Sequence, residues 1–221
     1  MSTRHRYINA LRGILREFGI PIALGVTAAK TQIAHTLTDC SGAVPSGVVP
    51  LLAQMLDEIK AIEHNTDRIE CELANLSRAD ERVQQMRQIP GIGLLTSTAI
   101  RATVGDIQRF PSGRHFASWL GLTASEYSSA EHRRLGAISK RGDVYLRTLL
   151  VHGARAVLLA AHRAQRSGRP LDRLRQWALA CERHRGHNKA TVALANRLAR
   201  ILWATWKHDR SFDGNWSRAA A

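Results

Sequence analysis

The sequence predicts an all-α chain. Apolar residues recur at three- and four-residue spacing in most segments, a heptad pattern begins at Leu52 and closes at Leu76, and no run shows β-hairpin alternation and turn chemistry of comparable strength. At 221 residues the chain can form one or two domains with buried cores. The expected organisation is a helical and coiled-coil region over residues 1–82, a compact helical domain over 83–208 with a helix-hairpin-helix-like motif, and a frayed tail over 209–221.

The first helix is carried by Tyr7, Ile8, Leu11, Ile14, Leu15 and Phe18, with Arg4, Arg6, Arg12 and Arg16 on its outer face and Gly19 and Pro21 ending it. A weaker helix follows over residues 22–37, and the Gly-, Ser- and Pro-rich residues 39–50 form a linker. In residues 51–78, Met55, Ile62, Ile69 and Leu76 occupy one heptad position and Leu52, Ile59, Thr66 and Leu73 the other. Such a seam, about 40 Å long at ~1.5 Å per residue, needs a cover. A second chain is the expected partner, and an intramolecular hairpin with the first helix is the alternative. The acids along this rod, Asp57, Glu58, Glu63, Asp67, Glu70 and Glu72, are solvating flanks of the seam and form no convergent metal site.

The compact domain begins near Val83. Ile89-Pro90-Gly91-Ile92-Gly93 separates a short helix from the apolar run of residues 94–104, and Phe116, Trp119 and Leu120 share one face of another short helix. Leu146, Leu149, Leu150, Ala154, Val157, Leu158 and Ala161 define a strong amphipathic helix, followed by a polar connection over residues 162–170. Leu171, Leu174, Ala178 and Cys181 start the next helix, and Leu194, Leu198, Ile201 and Leu202 mark the last. There is no internal repeat.

The formal net charge is +14, and its distribution is more informative than its size. Residues 1–130 carry 13 Lys/Arg against 12 Asp/Glu, whereas residues 131–221 carry 19 against 6. A nearly one-signed stretch makes a field that attracts polyanions. Arginine, at 27 against 5 lysines, supplies forks suited to phosphate. Cys40, Cys71 and Cys181 are dispersed and odd in number, as in a reducing compartment. No signal segment opens the chain and no continuous apolar run approaches ~18 residues, so a cytoplasmic, nucleoid-associated protein without a membrane partner is expected.

Three motifs bear on chemistry. The Ile89 to Gly93 turn fits a helix-hairpin-helix, in which Gly91 and Gly93 allow close approach and the next helix offers free N–H groups to a phosphate; an ordinary helix–helix turn has the same composition. Ser125, Ser128 and Ser129 precede a cluster of Arg133, Arg134, Lys140 and Arg141. A hydroxyl positioned beside such cations could attack a phosphodiester, because phosphoryl transfer depends chiefly on positioning and charge stabilisation. A solvated serine turn is the alternative. Cys181, His184 and His187, at Cys-x-x-His-x-x-His spacing, do not converge on one helix and lack a fourth ligand, so no metal site is assigned. His184 and His187 instead share a basic surface with Arg183, Arg185 and Lys189.

Asn9-Ala10-Leu11-Arg12-Gly13, the Ile89 to Gly93 turn, Phe110-Pro111-Ser112-Gly113-Arg114, Phe116-Ala117-Ser118-Trp119-Leu120-Gly121-Leu122-Thr123, Tyr127-Ser128-Ser129, Ile138-Ser139-Lys140-Arg141-Gly142-Asp143 with Leu146-Arg147, and Asn188-Lys189-Ala190 occur in an order that closely resembles the IS one-ten / IS eleven-eleven family of bacterial insertion-sequence transposases. The resemblance implies a protein with an N-terminal RuvC-like domain carrying four acidic metal ligands, a coiled-coil connection and a C-terminal transposase domain with a catalytic serine. It implies DNA excision and integration through a composite site, in an oligomer guided by a structured RNA. Ser129 matches the nucleophile, with Ser128 adjacent to it. Ala130 stands where the family usually has glycine, and the sequence starts where the RuvC-like domain would have ended. No cofactor is therefore expected on this chain, Mg being expected only in the preceding domain, and the chain alone is expected to be inactive.

The resulting expectation is a C-terminal part of a transposase. Ser129 is its nucleophile, Arg133, Arg134, Lys140, Arg141, Arg147 and Lys189 bind nucleic acid, and Gly91 and Gly93 shape a phosphate-binding hairpin. The expected partners are insertion-sequence ends and target DNA, a guide RNA, and a second copy through the seam from Leu52 to Leu76. The alternatives are a non-catalytic helix-hairpin-helix DNA-binding protein or inhibitor of an intact transposase, and a basic RNA-binding structural protein.

Overall fold

The computed structural model describes residues 3–39, 42–129, 132 and 134–215, and Cys40, Ala130, Glu131 and Arg133 lie outside the described residues. The described residues are mostly helical, as expected, and divide into two compact units, Met1–Glu72 and Leu73–Ala221.

The first unit contains α1 (Thr3–Glu17), α2 (Val26–Thr38) and most of α3 (Val49–Arg78). Its core joins Ile8, Leu11 and Leu15 of α1, Ala29 and Ile33 of α2, and Leu52, Leu56 and Ile59 of α3. The turn between α1 and α2 is braced by Arg12, whose Nη2 donates to the carbonyls of Ala23 at 2.7 Å and Gly25 at 3.0 Å. Glu63 on α3 receives Lys30 and Arg4, and the hydrogen bond from Lys30 leads the effects that hold its pKa below the usual carboxylate value. The first half of the heptad seam is thus covered within the chain. Further along α3, Ile69 is 58% exposed and Leu76 78%.

The second unit begins with α4 (Glu81–Arg87) and α5 (Leu94–Val104), then a 3-10 turn (Ile107–Arg109) and α6 (Gly113–Trp119). A two-stranded antiparallel sheet follows, β1 (Ala124–Glu126) with β2 (Leu135–Ile138), and then α7 (Val144–Arg166), α8 (Arg173–Arg185) and α9 (His187–Lys207). The hairpin is a correction to the sequence reading. Its strands are short and exposed, so they lack the alternation that marks a half-buried strand. Two boundaries also differ. α7 continues to Arg166 through residues expected to form a connection, and the start of the expected frayed tail is anchored, since Asp209 pairs with Arg82 and Phe212 packs on the core.

α9 is the central element, packed against α4, α6, α7 and α8. Ala190, Ala195 and Ala199 alternate on its buried face with Leu194, Leu198 and Leu202, small residues letting neighbouring backbones approach. Side-chain oxygens of Asp80, Ser112, Asp143 and Asp172 cap α4, α6, α7 and α8, accepting otherwise unpaired helix N–H groups. Phe110, Phe116 and Trp119 cluster with ring centroids 5.1–5.9 Å apart, and Arg109 stacks over Phe110 and Trp119. Gly113 lets α6 meet α9, since a Cβ there would stand 3.2 Å from the Arg200 Cα.

α7 presents its apolar face, Leu146, Leu150, Ala154, Val157, Leu158 and Ala161, to the core. By length and composition it could also cross a membrane, with a mean hydropathy of 1.3 over its most apolar window. A search for continuous apolar runs misses this, because alanine, leucine and valine raise the mean between scattered arginines. Halfway along α7, Gly153 receives the α4–α5 turn. A Cβ on Gly153 would lie 2.1 Å from the Gly91 carbonyl oxygen, and one on Gly91 would lie 2.7 Å from that of Gly153. Gly91 also has φ +83°, a left-handed value that side chains disfavour. Farther along, Glu182 of α8 ties three helices together, its carboxylate meeting His162 Nε2 of α7 at 2.6 Å and His187 Nδ1 of α9 at 2.7 Å. Burial acts to raise the Glu182 pKa, but the hydrogen bonds to His187 and His162 outweigh it and hold the value below the usual one.

Two outcomes follow from these packing features. Gly153→Ala should destabilise the protein by about 1–3 kcal/mol despite the helix propensity alanine adds, whereas Gly13→Ala, with nothing within 4 Å on α1, should stabilise it. Urea unfolding monitored by helicity measures both, and a stabilising Gly153→Ala would contradict the close approach. Because the folded-state pKa of Glu182 is depressed, its stabilisation is present above the unfolded value of about 4.3 and is lost as pH falls through the folded one. The stability difference between the parent and Glu182→Gln should therefore shrink on acidification from about pH 6 to about pH 3. Thermal melts across that range check it, a constant difference being the contrary result.

Candidate nucleic-acid interface

The chain between α6 and α7 leaves the helical body as a bulged hairpin. Ala124 pairs with Ile138 and Glu126 with Leu135, so β2 holds one more residue than β1 between the two pairs. Pairing continues outward through the Tyr127 N–H to the Arg134 carbonyl at 2.8 Å and ends at Ser129 and His132, which exchange backbone hydrogen bonds of 3.2 and 3.0 Å. Ser129 therefore stands beside the hairpin tip, exposed, and its hydroxyl has no hydrogen-bond partner among the described residues. Directly opposed residues of an antiparallel pair share a face, which puts His132 beside Ser129. The Ser128 hydroxyl is committed locally. It donates to Glu126 Oε1 at 2.7 Å and accepts the Arg134 N–H at 3.1 Å. Sequence reasoning singled out neither Glu126 nor His132, whose relation to the serines depends on strand register.

The feet of the hairpin are held tightly. Ser139 N–H donates to the Thr123 carbonyl at 2.8 Å and Lys140 N–H to that of Gly121 at 3.2 Å. Here two backbone segments cross, and a Cβ on Gly142 would stand 2.0 Å from the Trp119 carbonyl oxygen. Arg147, from the first turns of α7, closes the crossing by donating from Nη1 to the carbonyls of Leu120 at 3.1 Å and Gly142 at 3.2 Å. Asn196 of α9 adds a bond from Nδ2 to the Leu122 carbonyl at 3.1 Å.

Arg134, Lys140 and Arg141 are exposed, the first just before β2 and the other two at the crossing, while Arg133 lies outside the described residues. Lys140 has φ 56°, a left-handed turn that lets the chain leave β2 for α7. Arg147 is half-buried, with Nη1 engaged by backbone, so its place is at the hairpin base. Gly91 and Gly93 lie at the α4–α5 turn. Gly91 is packed on α7, whereas Gly93 is exposed and begins α5 without a side-chain cap. Lys189 is in the first turn of α9, apart from the hairpin in sequence, on a groove with Trp177, Cys181, His184 and Arg185. His187 is drawn to Glu182, and no three His, Cys, Asp or Glu residues among those described converge as metal ligands.

Comparison with known proteins fits this arrangement. Residues 83–169, from α4 through the hairpin to the end of α7, match the model of the transposase IS116/IS110/IS902 family. The chain is 39% identical over 205 residues to a probable family 20 transposase of Pseudomonas aeruginosa, covering 92% of this chain and 59% of that protein. It is 37% identical over 208 residues to the transposase for insertion sequence element IS1111A of Coxiella burnetii, covering 92% and 54% respectively. It is 33% identical over 200 residues to the transposase for IS1328 of Yersinia enterocolitica, covering 90% and 57%. The chain thus spans little more than half the length of these relatives. Residues 83–169, the domain built around the hairpin and α7, are thus a domain of the IS116/IS110/IS902 family of transposases.

Proposed function

We propose that the second unit is the DNA-handling part of a transposition site and that Ser129 is its nucleophile. The observation that carries this reading is the hairpin, which presents an exposed hydroxyl near its tip, without a hydrogen-bond partner among the described residues, while the Arg147 crossing fixes its base. In the step proposed, Ser129 Oγ attacks a DNA phosphorus, an Oγ–P bond forms, the P–O bond to the neighbouring sugar breaks, and the proton from Oγ is replaced on the departing oxygen. One phosphoester replaces another, so rejoining needs no external energy source. Arg134, Lys140 and Arg141, with Arg133, neutralise the non-bridging oxygens, where charge stabilisation contributes most to phosphoryl transfer. The exposed amides at Gly93 and the start of α5 offer a second phosphate contact.

Ser129 is preferred to Ser128 because the Ser128 hydroxyl already bonds Glu126 and Arg134 within the hairpin. No step runs through a metal held by this chain; the resemblance assigns Mg to a RuvC-like domain. The exposed later half of the seam, Ile69 and Leu76, is offered to a second copy. A guide RNA is proposed from the resemblance, and a DNA substrate in turn implies the bacterial cytoplasm at the nucleoid. A non-catalytic DNA-binding protein that inhibits an intact transposase is the second reading.

A denaturing-gel assay for a covalent protein–DNA adduct separates them. It uses element-end DNA, the cognate RNA and Mg²⁺, with this chain alone and with a full-length relative whose own serine is removed. An adduct on this chain in the mixture that disappears with Ser129→Ala is expected. Adduct-free binding in both mixtures supports the non-catalytic reading, and no binding to any nucleic acid at low salt overturns both.

A further inference from the structure

α8 and α9 meet at Gly186, where φ 79° turns the chain back on itself, and an open concavity of about 580 Å³ lies in the angle between them. Its floor is apolar, from the Trp177 ring, Cys181 and Ala193, and its rim carries His184, Arg185 and Lys189. Among the described residues no carboxylate lines it. The nearby acid, Glu182, is turned to His162 and His187. Trp177 is half-buried, packed partly on the core, and its indole N–H has no acceptor among the described residues. The Arg197 guanidinium lies 4.5 Å from the ring centroid, which holds the ring in place and adds a further cation beside it.

A cationic rim around a fixed aromatic ring matches one class of ligand closely. A stacked duplex exposes no base face, and an acidic peptide or inorganic phosphate satisfies the rim while leaving the ring unused. A single strand supplies both a base for the ring and phosphates for the rim. We propose that this groove seats an unpaired stretch of DNA, one base lying against Trp177 and its flanking phosphates against Arg185 and Lys189. The proposal rests on the DNA-handling reading above and adds to it a strand-binding site on elements distinct from the hairpin. Strands freed when a duplex is cut have this chemistry, and holding one away from the hairpin keeps a cut end from diffusing away.

The test is photocrosslinking of the unaltered full chain to a 15-nucleotide oligothymidylate bearing one iododeoxyuridine, followed by peptide mapping, alongside anisotropy with the same strand and a 15-base-pair duplex. Crosslinking is expected at the peptide carrying Trp177. Trp177→Leu should weaken single-strand binding about tenfold, leave duplex binding within about twofold, and be largely rescued by Trp177→Phe. Arg185→Ala with Lys189→Ala should flatten the salt dependence of single-strand binding by roughly 0.7 for each phosphate that is no longer neutralised. Crosslinks confined to the hairpin peptides, or an equal loss of duplex and single-strand binding in Trp177→Leu, overturn the groove while leaving the hairpin reading intact. So does displacement of the DNA by poly-glutamate, or by an oligouridylate at a far lower concentration. Failure of the parent chain to bind either DNA form overturns both.

Discussion

The arrangement of the candidate site depends on one short crossing of backbone, where the chain leaves α6 and returns to enter α7. Arg147 donates from one nitrogen to carbonyls on both segments, and Gly142 occupies a position with no room for a Cβ. Hydrogen bonds from a guanidinium are stronger than neutral ones, and at a half-buried crossing they satisfy a carbonyl on each segment. Given that crossing, the two segments that leave it are brought together, and the described residues pair from Ala124–Ile138 outward to Ser129–His132. A short two-stranded ribbon is marginal by itself. Its base is what holds this one.

α7 connects this crossing to the rest of the unit. Near its start it carries Arg147, at its midpoint Gly153 receives the Gly91 turn, and toward its end His162 joins Glu182 and through it α9. The two glycine approaches are therefore equivalent devices, each letting a turn sit on α7 at backbone distance. This also gives the Ile-Pro-Gly-Ile-Gly motif two separable parts. Gly91 serves packing, while a Cβ at Gly93 would meet nothing within 4 Å.

Much of the helical framework was readable from apolar spacing, because each helix buries a stripe whose period is local information. The 146–161 stripe and the 194–202 stripe both appear as core faces. The hairpin was not readable. Residues 124–126 and 135–138 have neither β-branched enrichment nor alternation, and what pairs them is the remote crossing at Gly121 and Gly142. The seam on α3 shows the converse limit. Its period announced a helix with an apolar edge, but only the positions of α1 and α2 determine that Leu52, Leu56 and Ile59 are covered within the chain while Ile69 and Leu76 are not. In the candidate site, the serines and cations were visible as residue types, whereas the commitment of Ser128 to Glu126 and of Arg147 to two carbonyls requires the fold.

The claim that Arg147 anchors the serine-bearing hairpin is tested most directly by hydrogen exchange on peptides from the parent and from Arg147→Lys, which keeps the charge but loses the planar fork. Amides of Ser139 and Lys140 should exchange at least about tenfold faster in the variant, while those of α9 keep their protection. Unchanged exchange at the hairpin base, or a uniform acceleration across both regions, would contradict the account.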